Sequence, residues 1–558
     1  MVTTRLTNVA DDFRSCAPHQ LHLLDEDQSW DLFCDKVFGQ ESCPPEFEEV
    51  GKTIVRNCGA LPLAIVVISG LLAKSNRTVE YWEYVANDTY EALNMGGDGL
   101  CFEILYLSYK HLPVHLKPCF LYMATFPEDT EIRISRLVKL WVAEGILKPT
   151  RSRSLEEIAE DNLKDLIDRN PIMIHSYGFS NKMKTCTIHD LLRDLSLREA
   201  LKEKVLGVTM KHNLEKCSRI IDNKHRLITQ RCSEEEKIKF SFAKLHRLRK
   251  VLKMGYVCSD EEIALLVNFR YIDFTRTMFK NLLDTLESVS MLWNLQTIAI
   301  SGWESIDPPA EIWEMPQLRH LKRDVGNFYL PVPPSTNSEN SRRDITVLKN
   351  LQTLYKIRSF RCTEEVVGRI PNLKKLGITY WQFLNCFGWD YFEVYNLALL
   401  HNLESLSLEG YEKNVLQNVC FPPSLKKLTL ERCGGVCWDD LTMVGSLPRL
   451  EVLNLISNGY KRREWKSVEG QFLALKCLRI VNADVEEWIA DGSHFPSLEK
   501  LQLEFVRYLK EIPCGIGEIP TLGSISLYFC SESANSSARK ILEDQQNLGN
   551  SDLKVFAN

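Results

Sequence analysis

Leu403-Glu404-Ser405-Leu406-Ser407-Leu408 and, one repeat later, Leu425-Lys426-Lys427-Leu428-Thr429-Leu430 decide how the second half of this chain folds. Both read Leu-x-x-Leu-x-Leu. The spacing returns at Leu373-x-x-Leu376-x-Ile378, Leu450-x-x-Leu453-x-Leu455, Leu475-x-x-Leu478-x-Ile480, Leu498-x-x-Leu501-x-Leu503 and Leu522-x-x-Ile525-x-Leu527. A period of about 22 to 30 residues predicts a solenoid, in which each unit adds one short strand and stacking buries the leucines in a shared core. One such match carries no information, but a series does. Leu295-x-x-Ile298-x-Ile300, Leu318-x-x-Leu321 and Leu351-x-x-Leu354 extend it backward with looser spacing. The basic run Lys244 to Lys253 interleaves Leu245, Leu248, Val251 and Leu252 as an opening repeat would, so its charges read as a solvated face. Glu409, Tyr411, Glu431, Arg432, Ser457 and Asn458 follow the strand leucines and are candidates, by position, for a ligand-binding concave face.

Upstream the period changes. Trp30, Phe33, Cys34, Val37 and Phe38 fall on one stripe of a helix, with Asp25 and Gln28 making a capping-box start. A second helix turns Phe47, Val50, Ile54 and Val55 inward and stops at Cys58-Gly59; a third starts at Pro62, where a missing N–H costs nothing. Tyr81, Trp82 and Val85 add one more before the Gly96-Gly97-Asp98-Gly99 break. Beyond it, helices are expected around Ile104 to Leu112 and Pro118 to Ala124, from an N-cap at Ser135 through Ala143 to Gly145, and along Leu155 to Ile167. Ile172-Met173-Ile174 and Thr185 to Ile188 then alternate around the polar turn Tyr177 to Lys184 as a hairpin. Helices followed by a hairpin predict a winged helix. The fold class expected is therefore multidomain, α plus α/β: a helical bundle over 19–95, a winged helix over 96–198, a connector over 199–244, repeats over 245–545 and a tail over 546–558.

The composition excludes several classes. Charged residues are 25% and hydrophobic ones 44%, ordinary values, and a net charge of −6 offers no attraction to a nucleic acid backbone. Nothing concentrates Lys or Arg on the last helix of the winged unit, so a DNA reader is not expected. The 18 cysteines are scattered, often in apolar runs such as Pro118-Cys119-Phe120-Leu121, which suggests a reducing, cytoplasmic setting. Cys433 and Cys437 have no partner set at zinc spacing, and no metal is expected. The longest apolar run, Ala60 to Ala73, contains Pro62 and Gly70 and is shorter than the roughly 20 residues of a membrane span, so it reads as a buried helix.

Several motifs make the chain resemble plant intracellular immune receptors that join a nucleotide-binding domain to leucine-rich repeats, in the coiled-coil class, with the late blight resistance proteins of the nightshade family as the nearest look-alikes. Cys119-Phe120-Leu121-Tyr122-Met123-Ala124-x-Phe126-Pro127-Glu128-Asp129 and Leu140-Trp141-x-Ala143-Glu144-Gly145 carry the resemblance most specifically. Val2-Thr3-Thr4-Arg5 is similar to that family's Thr-Thr-Arg strand end, and Cys58-Gly59-Ala60-Leu61-Pro62-Leu63 to its Gly-Leu-Pro-Leu motif, with Ala60 added. Ile188-His189-Asp190 stands where the family carries Met-His-Asp. The bundle then corresponds to the family's first helical domain after the nucleotide-binding core, and residues 1–18 to a remnant of that core.

The resemblance implies roles. Arg5 would sense the γ-phosphate, Pro62 would pack on adenine, and His189 would reach the β-phosphate of bound ADP, with Ile188 and Asp190 completing the switch segment. An imidazole suits this, donating from one ring nitrogen while a neighbour fixes the other. Two plainer readings stay open: Pro62 as a first-turn proline, and His189 as a cap between hairpin and helix. A nucleoside triphosphatase also needs Gly-x-x-x-x-Gly-Lys-Ser/Thr and an acidic strand end for Mg²⁺. Neither occurs here, so the chain is expected to be a non-enzymatic receptor lacking its N-terminal part, with ADP or ATP a property of the full-length family. Expected partners are a pathogen effector, a guarded host protein, or full-length receptor relatives. The alternative is a ubiquitin-ligase substrate adaptor, in which Leu112-Pro113-Val114-His115-Leu116 would open an F-box before the repeats.

Overall fold

Asp25 opens the first helix as its spacing predicts: its carboxylate accepts the Gln28 N–H at 2.7 Å and the Gln28 side chain accepts the Asp25 N–H at 3.2 Å. The computed structural model describes residues 22–75, 77–94, 100–203, 206–209, 226–229, 250–253, 268–274, 290–300, 308–323, 326, 328–333, 346–380, 392–410, 415–433, 438–457 and 463–557. The chain divides into two compact units, one of residues 1–176, 183–214 and 223–231, with the bundle and the winged helix, the other of residues 177–182, 215–222 and 232–558, with the repeats. Among the described residues no helix is long and apolar enough to cross a membrane.

In the first unit α1 (Glu26–Phe38), α2 (Pro45–Asn57), α3 (Pro62–Ala73) and α4 (Val79–Asn94) pack around Phe33, Phe47, Ile54, Ile65, Ile68 and Trp82. Trp82 is the centre, meeting Phe33 edge-on at 5.8 Å and Phe47 at 4.7 Å. Of the predicted inward residues Trp30, Cys34 and Val50 are only half-buried. Asn57 is buried at the end of α2, and its amide donates to the Ala86 carbonyl and Thr89 hydroxyl of α4, each at 3.1 Å. That pairing removes the cost of burying the amide.

The winged unit follows as α5 (Leu100–Lys110), α6 (Lys117–Tyr122) with a 3-10 turn to Thr125, β1 (Ile132–Arg133), α7 (Ile134–Glu144), α8 (Leu155–Asp168), β2 (Met173–Tyr177), β3 (Met183–Thr187) and α9 (Asp190–Lys202). β3 lies between β1 and β2. Gly145 closes α7 in the left-handed region at φ 62°, as its position suggests. Ser135 is not the cap of α7: β1 runs straight into the helix, which leaves Arg133 at the cap position and Ser135 inside the first turn. β1 escapes sequence reading because two residues show no alternation; the Ser154–Glu157 capping box that starts α8 was legible and missed. Burial pushes the Cys58 and Cys186 thiols up to about 12, in keeping with cysteines used as small hydrophobes.

In the second unit the strands form one parallel sheet from β6 (Lys250–Lys253) through β7 (Phe269–Phe274), β8 (Thr297–Ile300), β9 (His320–Arg323), β11 (Thr353–Arg358), β12 (Lys375–Tyr380), β13 (Ser405–Gly410), β14 (Lys427–Glu431), β15 (Val452–Ile456), β17 (Cys477–Val481), β19 (Lys500–Glu504) and β20 (Ser524–Tyr528) to β21 (Lys554–Ala557). β10 (Phe328–Tyr329) flanks β11, and β16 (Glu464–Lys466) pairs with β18 (Glu487–Ile489) in a small second sheet. Leu376, Leu406, Leu428, Leu453, Leu478, Leu501 and Ile525 are in register and buried. Two expected boundaries move. α9 runs through the expected limit at 198, and two short parallel strands, β4 (Leu206–Thr209) and β5 (Arg226–Thr229), lie in the expected connector. The sheet also continues past 545: after the helix Glu532–Asn547, β21 falls in the expected tail and pairs with β20, with Leu553 buried at its start.

Candidate functional site

Ile188, His189 and Asp190 form the joint between β3 and α9. Ile188 is buried and anchors the joint; His189 is exposed, with extended backbone (φ −65°, ψ 142°), and caps α9. Its Nδ1 accepts the Leu191 N–H at 3.2 Å, while its carbonyl accepts the Arg193 N–H at 2.9 Å. Asp190 stands in the first turn, where a carboxylate complements the helix dipole. With Nδ1 committed as acceptor, Nε2 carries the proton and is the donor left for a partner.

Two residues that the sequence reading missed tie this joint to the Cys119 to Asp129 motif. Buried Arg193 donates from Nε to the Phe126 carbonyl at 2.7 Å and from Nη1 to Glu128 at 3.3 Å; the Ser196 hydroxyl donates to the Phe120 carbonyl at 2.9 Å. The available signal was an arginine and a serine three apart on the face of α9 that Leu192 and Leu195 bury. Arg193→Ala should cost about 2 kcal/mol, since it strips a charged donor from a carbonyl left without it. Glu128 is exposed and adds little. Faster amide exchange along α9, with α1 to α4 unchanged, is the expected observation.

Pro62 takes the first position of α3 and is exposed. Gly59 and Ala60 precede it, both left-handed at φ 61° and 58°, so the added alanine of this motif occupies a conformation that glycine adopts more cheaply. A Cβ at Gly59 would lie 2.9 Å from Leu100 Cδ2, the end of a half-buried side chain that can turn aside, so its left-handed φ is the stronger reason for glycine there. Arg5 lies outside the described residues. No hydrogen bond or ion pair among those described joins the Pro62 and His189 positions.

On the repeat sheet, residues opposite the leucines form in-register rows. One runs Ser407, Thr429, Asn454, Arg479, Gln502, Ser526; the next runs Thr379, Glu409, Glu431, Ile456, Val481, Glu504. Glu409 is not a free ligand contact: it is buried, and its carboxylate accepts from Thr379 Oγ1 at 3.1 Å, Lys356 Nζ at 3.1 Å and Arg432 Nη1 at 2.9 Å. Glu431 is half-exposed on the same row. Arg432 and Ser457 close their strands in the left-handed region, and their N–H groups donate to the Ile456 and Val481 carbonyls of the next repeat at 2.9 and 2.7 Å. Tyr411 and Asn458 lie outside the described residues. The first row was legible, since the position between the second and third leucine must face away from the core.

Burial works against the charge of Lys356 and Glu409 outweighs it, so its pKa is raised. Glu409→Gln should destabilise by about 1 to 2 kcal/mol at neutral pH. A raised lysine pKa contributes stability that is present below the unfolded value and lost only as pH climbs through the folded one, so the difference between wild type and variant should shrink in alkali. Denaturant midpoints measured across pH 7 to 11 check this.

The family described as "Disease resistance protein Winged helix domain" matches residues 125–196, a span that contains Phe126, Ile188 to Asp190, Arg193 and Ser196. The NB-ARC domain family matches residues 1–43. A late blight resistance protein homolog of Solanum demissum, R1B-16, is 32% identical over 100% of this chain, and the late blight resistance protein R1-A of the same species is 32% identical over 100%. The chain belongs to the plant NB-ARC leucine-rich-repeat resistance proteins. It spans less than half the length of these resistance proteins, 44% of the first and 45% of the second. Among solved structures, an internalin from Listeria monocytogenes aligns with 57% of this chain and 89% of its own length at 16% identity, with a TM-score of 0.32. The resistance-protein relatives align across Leu112–Leu116 as well, and nothing in them favours an F-box there.

Proposed function

We propose that this chain is the recognition and relay part of a plant innate immune receptor. The polar row Ser407, Thr429, Asn454, Arg479, Gln502, Ser526 of the repeat sheet binds a pathogen effector or a guarded host protein, and the winged helix passes the event on through α9. The observation that carries this reading is the Ile188-His189-Asp190 joint, where the family's switch histidine caps a helix that Arg193 clamps to the Phe126 motif. A bound phosphate would accept a hydrogen bond from Nε2–H of His189 without disturbing the Nδ1 cap. Movement of the nucleotide and movement of α9 are thereby linked at one side chain.

ADP or ATP belongs to the full-length family, with Arg5, Pro62 and His189 as the contacts carried by this part. The chain itself is a binding and switching protein with no ATPase activity of its own, located in the cytoplasm, and full-length receptors are a further class of partner. The test is mass spectrometry of nucleotide copurifying with the longest native form and with this chain alone. ADP held by the longer form and lost with His189→Ala supports the reading. ATP turnover by the chain alone, or ADP retained undiminished by the His189 variant, would overturn it.

A further inference from the structure

α9 is held in two different ways along its length, by the Phe120 to Phe126 segment at its start and by α5 at its end. Its N-terminal half is clamped by Arg193 and Ser196, both buried and bonded to main-chain carbonyls. Its C-terminal half meets a row of ring faces. Phe102, Tyr106 and Tyr109 lie on one stripe of α5, four and three residues apart: Arg198 and Lys202 of α9 sit 4.8 Å from the Phe102 ring and 5.5 Å from the Tyr106 ring, while Tyr109 carries Lys117 of α6 at 4.9 Å. The Tyr109 hydroxyl donates to Glu203, the residue that ends α9, and burial together with Glu203 raises the Tyr109 pKa, so the hydroxyl remains a donor. Phe102 and Tyr106 are half-exposed, and Arg198 and Lys202 are open to solvent.

Cation–aromatic rungs whose cations are open to solvent are weak singly, because the cation is rehydrated when the contact breaks. Breaking the N-terminal clamp takes a charged donor from the Phe126 carbonyl, which costs more. In chain order, the end of α9 is also where the polypeptide departs for the repeats. We propose that the Phe102–Tyr106–Tyr109 row is a release strap: the last turns of α9 lift from α5 when displaced from the repeat side, while the first turns stay clamped beneath His189. This is a mechanical property of the first unit and does not depend on what the repeats bind.

The experiment is hydrogen exchange of the full chain carrying Phe102→Leu with Tyr106→Leu, which keeps an apolar side chain at both positions and every charge but removes the two ring faces. Amides of residues 199–203 should exchange about tenfold faster, the loss expected for two partly exposed rungs, with residues 192–196 unchanged. Tyr109→Phe, which removes only the bond to Glu203, should shift the same segment in the same direction. Ser196→Ala should give the reverse pattern, loosening residues 192–196. Uniform loosening along α9 in the leucine variant, or no change at residues 199–203, would overturn the proposal.

Discussion

Gly70→Ala should loosen the first unit by about 3 kcal/mol, against the direction that helix propensity gives. Gly70 lies in α3, where alanine in isolation would favour the helix by about 1 kcal/mol. A Cβ at Gly70, however, would sit 2.3 Å from the Arg169 carbonyl oxygen, 2.5 Å from its carbon and 2.6 Å from Asn170 Nδ2. Two of these are main chain and cannot turn aside. The same corner holds the Asn170 amide on the Val66 carbonyl at 3.0 Å and Lys74 on Asp168 at 2.8 Å, so pushing it off separates α3 from the end of α8. Amide exchange in α3 and α8 of the full chain measures the effect. An unchanged or slower exchange in the variant would mean that propensity wins and the close approach is not rigid.

The second large effect is expected at Trp465. It is buried between Trp438, stacked at 5.0 Å and 20°, and Trp488, stacked at 5.1 Å and 7°, with Phe495 edge-on at 5.9 Å. β16 and β18 place Trp465 and Trp488 in register, so three successive repeats share one ladder of rings. Trp465→Ala should cost about 3 to 5 kcal/mol in lost contact and cavity, and Trp465→Phe about 1.5 kcal/mol or less, since the ring stack survives. Because each repeat leans only on its neighbours, the alanine variant should open β15 to β19 first, ahead of β8 to β12. Exchange that rises evenly across the solenoid would instead mean that the repeats unfold as one body.

Much of this architecture was legible residue by residue. The leucine spacing predicts the parallel strands from β12 to β20 because every stacked strand has to turn the same side chains inward. Asp25 and Gln28 announce α1, and Gly145 the end of α7, because caps are local chemistry. β7 was not legible: buried Phe269 stands where the repeat calls for leucine and Tyr271 is buried at an intervening position that the repeat leaves open. β21 was hidden by the helix that precedes it.

At the candidate sites the division is sharper. The sequence by itself determined the order of a helical bundle, a winged helix and a leucine solenoid, and it marked His189 and Pro62 as residues of interest. Both rest on patterns within a few neighbouring positions. Only the tertiary structure decided that His189 caps α9 through Nδ1, that Arg193 reaches the Phe126 carbonyl across more than sixty residues, that Glu409 is spent on Lys356 and Arg432, and that Gly70 touches the Arg169 backbone. These pairings join residues far apart in sequence, and their energies come from burial and geometry, which no local pattern of residue types records.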